Sequence, residues 1–183
     1  KTSGSGLPEL GDKTLVAWVS PADLDQQGAG VLTVEGAGIQ AGQFDSLVLG
    51  EAAPRRWMAG SDNFRRTQRD QRRNAEETAK PGEWVQIAAV YAGNTVTLYR
   101  NGSRYARYEI ENPLHFAAGG RVLVGLRHLD RRDEPKAHFR GAMADARVYS
   151  TALTDGQIAE LRAHDSAWPR PLVWLDFKSG GTA

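Results

Sequence analysis

The sequence predicts an all-β fold of antiparallel strands stacked in layers. Three observations carry that reading. Residues 84–110, WVQIAAVYAGNTVTLYRNGSRYARYEI, read as three antiparallel strands in a row. The first of them, residues 84–91, is apolar on both faces: Val85, Ile87, Ala89 and Tyr91 on one, Trp84, Ala88 and Val90 on the other. A strand of that kind lies between two layers, not at a surface. Shorter apolar runs at residues 15–19, 31–35 and 44–50 are separated by glycine-rich turns, as in a sheet of short strands.

Taken in order, residues 1–12 open with the small polar run KTSGSG and are expected to be a linker or disordered end. Residues 15–19 form a strand that Pro21 ends. Strands at 31–35 and 44–50 follow, with a short one expected at 55–59. Residues 61–82 change character. SDNFRRTQRDQRRNAEETAKPG has no apolar stripe to bury and reads as a long solvated loop. In the meander, Ala92-Gly93-Asn94 makes the first turn. Asn101-Gly102 makes the second, because both residues tolerate the positive φ of a type I′ turn. Residues 121–126 are a strand, 127–135 a second charged loop, and 137–149 one strand or two broken at Gly141. Thr154 and Gln157 have capping-box spacing ahead of a short helix whose apolar edge is Ile158 and Leu161. Trp168-Pro-Arg-Pro171 breaks the chain before a last strand at 172–177. That strand either pairs into the same sandwich or opens a following domain. The expected organisation is therefore residues 1–12, a main domain over 13–165, and a linker with terminal strand over 166–183.

Residues 84–102 resemble the central signature of laminin-G-like, concanavalin A-like jelly-roll modules. TLVAWVSP at 14–21 is similar to their early strand, and GAMADARVYSTALTDGQIAEL at 141–161 to their closing strand and helix. The similarity covers roughly residues 13–163. It implies a jelly-roll sandwich of two antiparallel sheets with one short helix. Such modules often hold calcium through carboxylates and carbonyls, and their closing strand often reads G-x-I-D-D-x-R. Here Asp145 and Arg147 match, while Ala144 replaces the first aspartate. Asp145 is thus the candidate calcium ligand, with a plain Asp145–Arg147 contact as the alternative.

Bulk composition narrows the classes. A chain of 183 residues, 40% hydrophobic and 25% charged, is long enough for a real core. A net charge of +1 gives no bulk attraction to nucleic acid or membrane, and no apolar run approaches the ~20 residues of a membrane span. The absence of cysteine excludes disulfides and thiolate metal sites. The start at Lys1 suggests a processed or trimmed chain. The histidines lack zinc-site spacing. Arginines 65, 66, 69, 72 and 73 cluster, but Asp62, Asp70, Glu76 and Glu77 interleave with them, against a nucleic-acid groove.

Two kinds of site remain. Glycosidases of this fold carry paired carboxylates on one strand. The nearest arrangement here, Glu109 and Glu111, reads as a solvated edge pair, so no catalytic role is expected. A sugar site needs an aromatic plane beside fixed hydrogen-bonders. Residues 51–67 offer Trp57 and Phe64 as planes and Glu51, Asp62, Arg65 and Arg66 as polar groups, with Arg127, His128 and Asp130 expected nearby. Each has an ordinary alternative, Trp57 in the core and the arginines in solvent. The pattern G-E-x-x-P-x-x-W-M-A-G-S-D-x-F-R-R-T is also similar to jelly-roll modules attached to bacterial fructan-acting glycoside hydrolases. That resemblance implies a non-catalytic accessory module of a secreted enzyme, extracellular or periplasmic, covalently linked to a catalytic domain and binding an oligo- or polysaccharide such as β-fructan. A surface adhesion or protein-interaction module is the second reading, and a glycosidase or lyase of the same fold the third.

Overall fold

The computed structural model describes residues 6–129, 135–165 and 168–177. The expected end at residues 1–5, Asp130 with most of the second charged loop, and residues 166–167 and 178–183 lie outside them.

Twelve strands and one short helix are described. The strands are β1 (Lys13–Pro21), β2 (Ala29–Glu35), β3 (Phe44–Leu49), β4 (Trp57–Ser61), β5 (Val85–Ala92), β6 (Thr95–Arg100), β7 (Ser103–Glu109), β8 (Arg121–Val124), β9 (Leu126–Leu129), β10 (Pro135–His138), β11 (Gly141–Tyr149) and β12 (Val173–Asp176); the helix α1 is Asp155–Glu160. One sheet runs β12-β11-β1-β5-β6-β7, antiparallel throughout. The other runs β4-β3-β2-β10-β9, with β8 also paired to β2 and a single parallel bridge between β10 and β2. The last strand therefore pairs with β11 and forms the edge of the first sheet.

The first sheet follows the sequence closely. β5 sits at its centre, and its two apolar faces have two destinations. Val85, Ile87, Ala89 and Tyr91 enter the core between the sheets. Ala88 and Val90 face outward into a second cluster with Val16, Trp18, Tyr99, Tyr149, Leu153, Ile158 and Leu161. That cluster explains why a six-residue helix holds: α1 and its flanks roof the outer face of the sheet. The capping box forms, with Thr154 Oγ1 accepting from the Gln157 amide at 3.2 Å and Gln157 Oε1 accepting from the Thr154 amide at 2.9 Å. The turn at Asn101-Gly102 has φ of 49° and 77°, as a type I′ hairpin requires. Trp84 departs from expectation. It precedes β5 and is 49% exposed.

In the second sheet, the short strand expected at 55–59 runs instead over Trp57–Ser61. The strand expected at 121–126 divides at Gly125, whose φ is 71°. β9 then lies across the outer face of β2, so residues 126–129 are sheet and not loop. The Thr33 hydroxyl is 3.1 and 2.8 Å from the carbonyls of Leu126 and Arg127, and Glu35 Oε1 accepts from the Leu129 amide at 3.3 Å. A Cβ on Gly30 would stand 2.2 Å from the Arg127 backbone, so only glycine lets the two strands cross there.

Two expected loops are packed. Leu7 and Leu10, placed in a linker by the sequence, are buried and bridge to Gly120 and Phe116. The run 62–84 is a strap that closes the side of the sandwich between β4 and β7. Arg66, Gln71, Asn74, Glu77 and Ala79 are buried along it. Tyr108 donates to the Arg66 carbonyl at 2.9 Å, and Tyr105 donates to that of Ala75. The reading as a solvated loop fails because the strap is anchored by polar side chains at irregular spacing, which leaves no apolar period.

Candidate functional site

Several residues that the sequence offers as ligand-binding are instead parts of buried ion networks. Trp57 is 1% exposed; its Nε1 donates to Glu77 Oε2 at 2.6 Å, so the ring is core and not a sugar platform. Arg66 is buried with Asp62 and Asp45, at 2.5 and 2.8 Å, and Asp45 also meets Lys13 Nζ at 3.0 Å. Lys13 lies over the rings of Tyr91 and Phe116. Two cations thus offset two carboxylates inside the sandwich, where a lone charge would be very costly.

Asp145 does not fit calcium. Its Oδ1 accepts from Arg147 Nε at 2.9 Å, and its Oδ2 from Arg147 Nη2, the His164 amide and Trp174 Nε1 at 2.7, 2.8 and 3.1 Å. Both oxygens are occupied by donors, and the Arg147 guanidinium stacks between Trp18 and Trp174, 4.9 and 5.0 Å from the ring centroids. Among the described residues no group of three or more acidic or histidine side chains is placed to hold a metal ion.

β4 runs between the two halves of the sequence segment 51–67. Five residues at ~3.3 Å each hold Glu51 at one end of the sandwich and Phe64 and Arg65 at the other. Phe64 is half-buried under Arg69, and Arg65 is exposed, 3.8 Å from Asp62. His128 stacks on Phe44, with ring centroids 4.8 Å apart. Arg127, its neighbour on β9, reaches the other way and forms an ion pair with Glu51.

That pair lies in an open cleft of about 530 Å³ between the 22–28 and 50–54 loops, where Leu24, Asp25, Gln27 and Pro54 join it. The cleft is fixed by its surroundings. Buried Gln26 donates to the carbonyls of Asp23 and Arg140 at 2.8 and 2.7 Å and accepts from the Arg140 amide at 2.6 Å. The Arg140 guanidinium holds the Asp23 carboxylate at 2.9 to 3.1 Å and pulls its pKa below the ordinary range. Gly50, with φ of 76°, brings the second loop so close that a Cβ would stand 2.1 Å from the Gln26 carbonyl. Gly28, with φ of 66°, leaves room for the Arg127 guanidinium. Burial pushes the pKa of Arg127 down, though a guanidinium stays charged at neutral pH. On the rim, Asp25 pairs with Arg55 at 2.8 Å. Fixed carboxylates, a guanidinium and an amide beside small apolar surfaces suit hydroxyl recognition.

Of the expected site residues, the structure brings together Glu51 and Arg127 in the cleft and groups Asp62, Arg65 and Arg66 at the other end of β4, while Trp57 is buried in the core. Sequence reasoning missed Asp25, Gln26, Gln27, Gly28 and Gly30. Their signal was the polar run before β2 with glycines at i and i+2, which put two side-chain-free positions under one crossing strand.

The chain belongs to the concanavalin A-like lectin/glucanases superfamily; the laminin G type 3 profile of that superfamily matches residues 1–159. No curated protein shows significant sequence similarity to it. Among solved structures, one named as a putative carbohydrate-binding protein from Bacteroides ovatus superposes with a TM-score of 0.66 at 16% identity; the match covers all of this chain and 49% of that one. Domain 4 of an extracellular GH43 arabinanase from Geobacillus stearothermophilus, solved with arabinotriose, gives 0.60 at 20% identity over 84% of this chain and 69% of that one. The CBM40 of a Ruminococcus gnavus sialidase, bound to α2,3-sialyllactose, gives 0.57 at 13% identity over 82% of each chain. These likenesses establish the fold.

Proposed function

We propose that this chain is a non-catalytic carbohydrate-binding module, and that its ligand site is the cleft floored by Arg127 and Glu51. One observation carries the reading. An ion pair between two distant strand regions is held at the base of an open polar cleft whose walls are fixed by Gln26, Gly28 and Gly50. Preorganised polar groups lower the ordering cost of binding a weak, hydroxyl-rich ligand. The solved structures with arabinotriose and sialyllactose support the class, since both are sugar-binding modules of this fold. The charges compensate one another: Glu51 with Arg127, Asp25 with Arg55. A neutral glycan therefore suits the cleft better than an acidic one, and β-fructan is the first candidate. An accessory place in a secreted bacterial glycoside hydrolase, outside the cytoplasm and covalently linked to its catalytic domain, is part of the same proposal. Among the described residues no helix is long and apolar enough to cross a membrane. A binding role is supported too by the carboxylates present. Asp25 and Glu51 are each held by an arginine, and Glu109 accepts from the Thr95 hydroxyl at 2.8 Å.

Titration calorimetry with levan, inulin and arabinan tests the proposal. Arg127→Ala and Glu51→Gln are expected to weaken binding at least tenfold, with Arg65→Ala unchanged and little dependence on salt. Equal binding by all three variants would remove the cleft from the account. The alternative, a protein-contact module, draws on a different face. Trp168, Leu172 and Phe177 are exposed beside the edge strand β12. If wild type binds no glycan, that reading takes precedence.

A further inference from the structure

We infer a second saccharide site, selective for an acidic sugar, on the outer face of the first sheet around Trp84. It is separate from the cleft, which lies against the second sheet, and does not depend on it. Trp84 is the exposed aromatic just before β5, and it borders an open depression of about 290 Å³ with Trp18, Gln86, Asn101, Leu161 and Arg162. An indole half in water next to polar side chains is the arrangement that accepts the C–H face of a sugar ring.

The floor of the depression is rigid, and this decides which groups are left for a ligand. Gln86 is nearly buried and its side chain is held at both ends: Oε1 accepts from the Gly102 amide at 2.8 Å, and Nε2 donates to the Ile158 carbonyl at 3.4 Å. Asn101 spends its Oδ1 on the Gln86 amide, at 2.8 Å. Its Nδ2 has no partner among the described residues. Arg162 is anchored through Nη1 alone, which donates to the carbonyls of Ala159 and Leu161 at 2.7 and 2.8 Å. The remaining edge of its guanidinium has no partner among the described residues, and Arg162 forms no ion pair with them. Among the described residues no carboxylate lines the depression. The free groups are thus donors, one of them a cation, beside an aromatic plane. A ligand that matches them supplies acceptors and negative charge along with an apolar face, which describes a pyranose ring bearing a carboxylate. A guanidinium edge binds a carboxylate through parallel N–H donors. The cleft, whose charges are internally paired, has the opposite preference.

Titrations with trigalacturonate, its methyl ester and trimannuronate test the assignment, since the ester keeps the ring and removes the charge. The expected results are binding of at least one acid trisaccharide, at least tenfold weaker binding of the ester, and weakening as salt rises. Trp84→Ala should lose binding at least tenfold with an unchanged melting temperature. Arg162→Gln should bring acid and ester to equal affinity. Arg127→Ala, which alters the cleft, should bind the acid as wild type does, so that failure at one site is distinguished from failure at the other. The inference is overturned if neither acid binds, if the ester binds as well as the acid, or if Trp84→Ala retains wild-type affinity. Loss of acid binding in Arg127→Ala would transfer the ligand to the cleft and also overturn it.

Discussion

Glu77 shows how one side chain of the strap joins distant parts of the sandwich. Burial opposes its ionisation, but donors from Arg100, Trp57 and the amides of Ala79 and Thr78 outweigh that and hold its pKa at about 2. A carboxyl depressed in the folded state from 4.5 to about 2 contributes stability that is fully present above pH ~4.5 and lost as pH falls toward ~2. The contribution is on the order of 3 kcal/mol. Glu77→Ala also strands the Arg100 guanidinium and the Trp57 indole, and should cost ~3–5 kcal/mol in urea unfolding at pH 7. In Glu77→Gln the loss of stability between pH 5 and pH 3 should be shallower than in wild type. At the same scale, Gly102→Val should destabilise by ~1–3 kcal/mol, because a β-branched residue resists a φ of 77°. Thermal melts check that value.

At the scale of elements, what the sequence disclosed depends on how local the determining physics is. The Asn101-Gly102 turn and the Thr154–Gln157 capping box were legible because each is decided within four residues. β5 was legible because both of its faces carry an apolar record of their neighbours. Ile87→Ala should cost ~2–5 kcal/mol, since Ile87 is 1% exposed between the sheets. The strap was not legible. Its anchors, Arg66, Asn74 and Glu77, are the residue types of solvated loops, and only tertiary partners bury them. The crossing of β9 over β2 was hidden for the same reason. Its one trace is glycine at 30, where Gly30→Val should push β9 off the sheet, displace Arg127 and abolish glycan binding by the cleft. Hydrogen exchange at residues 126–129 would report the movement.

For the whole molecule, the layer arrangement explains why the fold was read more fully than the site. Strand alternation and turns record the sandwich directly. A ligand site records only which loops meet in space, and residues 51–67, adjacent in sequence, are split by β4 between opposite ends. Glu51 and Arg127, 76 positions apart, are instead joined. Trp57, chosen for its aromatic plane, faces inward, whereas Trp84, assigned to the sheet, reaches solvent. The central claim is that glycan recognition uses the end of the sandwich where the 22–28 and 50–54 loops meet Arg127. The most direct measurement is a map of backbone amide shifts during titration with the neutral oligosaccharide that calorimetry ranks first. The account predicts that the perturbed amides fall in residues 23–30, 50–56 and 126–128, with those at 62–67 unmoved. Perturbations centred on 62–67, or on the edge strand β12, would contradict it.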